Sequence, residues 1–129
     1  MYTIEETMYG LHITMGSIYA PGEIQQYVQE KEEIIKKFKD GFSLLVDLRT
    51  AIPPKAEDAE CLRQSQAKLK DGMIRQALIV KSPVVKRRAN QLIISGPIKD
   101  KTRIIDASAS DDWESLAMDW ILKGIEPDS

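Results

Sequence analysis

Apolar and polar positions are most sharply patterned between Gly41 and Pro54, GFSLLVDLRTAIPP. Phe42, Leu44, Val46 and Leu48 share one face of an extended strand, and Leu45 stands on the other. A strand apolar on both faces is covered by helices on both sides, at or near the centre of a mainly parallel sheet. Its C-terminal end gathers Asp47, Arg49 and Thr50 before Pro53-Pro54 stops the run. In open α/β sheets that end is where ligands bind.

Before this strand, Tyr2, Ile4 and Met8 alternate with Thr3, Glu5 and Thr7, and Leu11, Ile13 and Met15 alternate with His12 and Thr14. The period of two predicts a β-hairpin turning at Tyr9-Gly10, half-buried and near a sheet edge. Pro21-Gly22 then opens a helix predicted from Gly22 to Lys39. Ile24, Tyr27, Val28, Ile34, Ile35 and Phe38 form its apolar stripe. The charge run of Glu30, Lys31, Glu32, Glu33, Lys36 and Lys37 reads as its solvated face.

After the central strand, a second helix is predicted from Glu57 to Asp71. It buries Ala59, Leu62 and Leu69, has Gln66 as a polar member of that side, and is capped by Gly72. Arg75–Lys81 is a strand with apolar residues on both faces. Ser82-Pro83 supplies the N-cap and first residue of a third helix. That helix turns Val85, Ala89, Leu92 and Ile93 inward and stops at Gly96-Pro97. Thr102–Ala107 is a short last strand. Asp111 and Glu114 have capping-box spacing. Trp113, Leu116, Ala117, Trp120 and Ile121 then keep the helical repeat as far as Gly124, both tryptophans reading as core.

The order ββαβαβαβα predicts an α/β fold: a mixed sheet, an N-terminal hairpin followed by parallel strands on right-handed crossovers, and about four helices. A chain of 129 residues fits a single domain, 1–129. Lys and Arg number 18 against 20 Asp and Glu, a formal net charge of −2, which argues against nucleic acid as a partner. One cysteine, Cys61, cannot form an internal disulfide and suits a reducing compartment. The start, MYTIEETMYG, lacks the basic and apolar segments of a leader, and no apolar run is long enough for a membrane span. The expectation is a soluble, cytoplasmic protein.

Four stretches together resemble the STAS domain, the fold of bacterial anti-sigma-factor antagonists. They are LLVDLR at Leu44–Arg49, Arg75-x-Ala-Leu-Ile-Val, the Ser82-Pro83 helix start and AMDWIL at Ala117–Leu122. More closely, the chain resembles the small stand-alone SpoIIAA-like proteins, which have also been compared with CRAL-TRIO lipid carriers. The resemblance implies a mixed sheet backed by helices and no obligatory cofactor. STAS antagonists carry a phosphorylatable Ser in the turn after the central strand. Here Ile52-Pro53-Pro54-Lys55 fills that turn, Thr50 precedes it and Ser65 lies inside the next helix, so the phosphorylation switch is not expected.

Other chemistry has little footing in the residues. Lys81, Ser82, Lys86, Arg87 and Arg88 cluster at a strand-to-helix junction, either as an anion pocket or as a solvated basic turn. Asp47, Asp106, Asp111 and Asp112 could converge at the C-terminal sheet edge, but no metal site is expected from them. His12 and Cys61 are the only members of their types, and nothing in the sequence places them in contact as a catalytic pair. There is no Gly-rich phosphate loop.

The expectation is therefore a non-enzymatic regulatory or ligand-binding module with no catalytic residues, no cofactor and no metal. Its contact surface would be built from Asp47, Arg49, Thr50, Pro53, Lys55, Lys81, Ser82, Lys86, Arg87 and Asp106. Its partner would be a protein or a small apolar or anionic ligand. The alternative is a carrier of a lipid or other apolar molecule, which needs a cavity between helices and sheet with the Thr50–Pro54 loop at its mouth. A homodimer formed through exposed strand edges is a further expectation.

Overall fold

The computed structural model describes residues 1–127. Its elements follow the expected order. Strands β1 (Tyr2–Glu6) and β2 (Gly10–Met15) lead to α1 (Glu23–Ile35), then β3 (Phe42–Asp47), α2 (Ala56–Leu69) and β4 (Met73–Val80). α3 (Pro83–Ile94), a 3-10 turn at Lys99–Lys101, β5 (Thr102–Asp106) and α4 (Trp113–Lys123) complete it. The five strands form one mixed sheet in the spatial order β1-β2-β3-β4-β5. β1 runs antiparallel to β2, and every later neighbour pair is parallel.

Because spatial order equals chain order, each crossover moves one strand in the same direction. Right-handed connections then place α1, α2 and α3 on one face. Leu11 and Ile13 of β2, Leu44 and Val46 of β3 and Leu78 and Val80 of β4 point to that face. Leu45, Ala77, Ile79 and Ile105 point to the other, where α4 covers them with Ala117, Trp120 and Ile121. A single helix cannot cover five strands, so α4 lies across β3, β4 and β5. β2 keeps one partly exposed polar face at His12 and Thr14. That is why β3 and β4 are apolar on both sides while β2 alternates.

The hairpin turns at Thr7–Tyr9, one residue earlier than predicted, with Thr7 N–H donating to Gly10 O. Gly10 already belongs to β2, at φ +145°, and a Cβ there would stand 2.1 Å from Ser43 O. Only glycine lets β2 approach β3 this closely. α1 ends at Ile35 rather than Lys39, since its last turn tightens through Lys37 N–H to Ile34 O and Phe38 N–H to Ile35 O. Gly72 is not a left-handed cap. α2 closes on Lys70, and Gly72 instead makes room for the Phe42 ring, whose Cε1 would be 2.9 Å from an added Cβ. The Asp111–Glu114 capping box does not form either. α4 starts at Trp113, so Asp112 holds the N-cap position with no side-chain bond, and Glu114 sits one position too early to reach back. Ser82 does cap α3, accepting from the Val85 amide. Gly124, at φ 70°, ends α4.

Candidate functional site

α2 controls the interior on the three-helix face. Its inward side carries Ala59, Leu62, Ser65, Gln66 and Leu69, of which only Ser65 and Leu69 are buried. Small and polar groups on that side cannot fill the space beneath the helix. α2 leans on α1 rather than on the sheet. The result is a cavity of about 330 Å³ between the helices and the sheet. Met15, Val46, Leu48, Gln76 and Leu78 of the sheet side form its floor. Ile24, Tyr27 and Lys31 of α1 wall it on one side, and Val85, Ala89 and Leu92 of α3 on the other. Ile52, Pro53 and Pro54 border it from the loop after β3, and Ile52 is more than half exposed. The lining is mainly apolar, and small-molecule pockets run from roughly 300 to 1,000 Å³.

Three polar side chains interrupt that lining from inside. Lys31 is only 4% exposed. Its ammonium stands 4.7 Å from the centre of the Tyr27 ring, and no hydrogen bond or ion pair reaches it from another described residue. Burial pushes its pKa down from 10.5 to about 8, with Glu32 and Cys61 pulling weakly the other way. Glu32 faces α2 instead, 3.8 Å from Lys68. Gln66 presents a buried Oε1 with no hydrogen-bond partner. Gln76, buried in the middle of β4, donates from Nε2 to Thr102 Oγ1 at 3.1 Å. Burial also raises the pKa of Tyr27, and that of Tyr19 to about 12, so both remain neutral phenols at ordinary pH.

The placement of Lys31 corrects the sequence reading, which put it on the solvated face. Positions 24, 27, 28, 31, 34, 35 and 38 continue one spacing of three and four, so Lys31 lies on the apolar stripe. Its charge hid a position that the period alone marks as inward. Gln66 was visible as a polar intruder in the same way. Gln76 had no sequence signal beyond interrupting an apolar strand.

The residues proposed for a contact surface divide into separate groups. Asp47 and Arg49 bind each other, Arg49 Nη2 to Asp47 Oδ2 at 2.9 Å and Nε to Oδ1 at 3.0 Å. Burial pushes the Asp47 carboxyl up, but the Arg49 guanidinium and backbone amide outweigh it and hold it below the usual range. The same guanidinium lies 4.3 Å from the centre of the Trp113 ring, on the α4 face. Thr50 Oγ1 donates to Met15 O, tying the loop after β3 to the end of β2. Pro53 borders the cavity, and Lys55 is the N-cap residue of α2 without a side-chain bond.

Lys86 and Asp106 pair at 3.1 Å, and Asp106 also accepts from Ser108 N–H and Oγ. The Ser108 contacts, then Lys86, hold the Asp106 carboxyl low. Lys86, Arg87 and Asp106 border an open depression beside α3. Lys81 and Arg87 are exposed and make no hydrogen bond or ion pair with another described residue. Within the basic turn, Lys86 is thus paired with Asp106, while Lys81 and Arg87 face solvent. Among the described residues no group of three or more His, Cys, Asp or Glu stands close enough to hold a metal, so the four aspartates do not converge. Cys61 packs partly buried against the three-helix core, while His12 lies on β2 facing away from it.

Fold and site define an α/β protein with a mixed five-stranded sheet, three helices on one face, one on the other, and a cavity beneath α2. No protein-family model, curated protein or solved structure matches the chain. No helix among the described residues is long and apolar enough to cross a membrane.

Proposed function

We propose that this protein is a ligand-binding module that holds a small, largely apolar molecule in the cavity under α2, without carrying out chemistry on it. The cavity of about 330 Å³ is the observation that carries the reading. A module that recognises partners only through loop tips has no use for such a recess, whose mainly apolar lining is left against water when nothing occupies it. Retaining one is reasonable when something occupies it. A STAS-type module without its phosphorylation switch is compatible with this reading, because the turn that would hold the phosphoacceptor instead borders the cavity through Pro53 and Pro54. In the same proposal the protein works in the cytoplasm. The open edges of β1 and β5 are the surfaces through which it would pair with itself.

Native mass spectrometry of the purified protein, sprayed gently and then after organic extraction, tests this. A reproducible adduct that extraction removes supports the proposal. An unliganded mass, together with no thermal shift from any member of a panel of apolar probes, overturns it in favour of a module that binds only macromolecules.

A further inference from the structure

We propose that the occupant is a single-chain amphiphile carrying one carboxylate, bound with its head group inward against the Lys31 ammonium and its apolar chain along α3. This rests on the cavity being a ligand site, as proposed above, and adds the chemical class of the ligand. The first observation is Lys31 itself: 4% exposed, in the cavity wall, with the Tyr27 ring face 4.7 Å from its ammonium and Glu32 and Cys61 acting on it through charge alone, without a hydrogen bond. An ammonium on so buried a side chain is costly unless paired and hydrogen-bonded, and the chain supplies no acceptor to it among the described residues, so that only what enters the cavity can meet it. The pairing group therefore comes from outside.

The second observation is Gln66 Oε1, a buried acceptor in the same lining with no donor. An ionised carboxylate has no proton to donate to it, so Gln66 Oε1 bonds a water that hydrates the head group, and a wholly apolar ligand would bring no such polar end beside it. The third is charge balance. One buried cation neutralises one negative charge, which fits a carboxylate and leaves a phosphate dianion in excess. The arginines of the lining do not compete for the head. Arg63 lies on the rim and already pairs with Glu60, and Arg88 is exposed, where an ion pair contributes little.

Size narrows the class further. The cavity volume of about 330 Å³ lies at the small end of the range for small-molecule pockets, which favours one medium-length chain over a two-chain lipid. Val85, Ala89 and Leu92 of α3, opposite Lys31, give such a chain an apolar wall.

Isothermal titration of the whole protein with decanoate, decanol and decylamine tests the class. Decanoate should bind roughly 10- to 100-fold more tightly than decanol, the range expected for one charge-assisted hydrogen bond, and decylamine should bind weakest. Lys31→Met should abolish the preference for decanoate while leaving decanol binding intact. Intact decanol binding also shows that the variant keeps its cavity. Arg88→Ala should leave the preference unchanged. Equal binding of acid and alcohol to the unaltered protein, or loss of the preference in Arg88→Ala rather than Lys31→Met, overturns the inward carboxylate while the cavity remains a ligand site. Failure of all three probes to bind overturns the inference, and the site reading falls with it only where the mass spectrum also shows no adduct and no apolar probe shifts the melting.

Discussion

Lys31→Met should make the free protein more stable at neutral pH, although it removes a charged residue from a helix rich in them. Methionine keeps the length of the side chain and loses the ammonium. Burial lowers the Lys31 pKa from 10.5 to about 8. At about 1.4 kcal/mol per pKa unit, the folded chain loses about 3 kcal/mol at pH 7 by keeping this poorly hydrated group charged. The unfolded chain still holds the proton above pH 8, where the folded chain releases it, so stability rises with pH over that range. Between about pH 7.5 and pH 9.5 the rise should be about 2 kcal/mol, with most of the remainder recovered near pH 10.5.

Glu32 on the same helix and Cys61 from α2 oppose the shift, and the Tyr27 ring lies against the ammonium. Above pH 10 the raised pKa values of Tyr2, Tyr9, Tyr19 and Tyr27 act in the opposite direction, which limits the useful window. Urea unfolding followed by tryptophan fluorescence in that window measures the effect on both proteins. The unaltered protein should gain stability as pH rises. The variant should lack that slope and start about 2–3 kcal/mol higher at pH 7. A variant less stable than the parent, with the same slope, would show that Lys31 is not the strained group and remove the basis for a buried, unpaired ammonium.

Gln66→Leu should stabilise the protein by about 1 kcal/mol, since it replaces a buried acceptor that has no donor, and thermal unfolding would show it. Asp47→Asn should cost about 1–2 kcal/mol near neutrality through the lost charge on Arg49. The Asp47 pKa is lowered in the folded state, so this penalty should shrink as pH falls below about 4, which denaturant titrations at two pH values would reveal. Gly10→Ala should cost about 3 kcal/mol or more, because it combines a positive φ with a Cβ driven against Ser43 O. A soluble variant with native circular dichroism and unchanged melting would refute the close β2–β3 approach.

The sequence by itself determined the layers. Two-sided apolar runs at Phe42–Asp47 and Arg75–Val80 required helices on both faces of the sheet, and alternation at Leu11–Met15 required one open face. Side-chain periods of 2 and 3.6 are local geometry and can be read one strand or helix at a time. Helix ends were less legible: the Asp111–Glu114 box fits a helix one residue longer than α4, and only the path of the loop after β5 decides where α4 begins. The cavity could not be read at all, because its volume depends on how far α2 stands from the sheet, a distance set jointly by α1, the floor strands and the small side chains of α2. Lys31 lies between these cases. Its spacing placed it inward, but a lysine on an apolar stripe ordinarily carries its charge out to water along its methylene stem. Only the assembled walls keep this side chain in the cavity lining with 4% of it exposed.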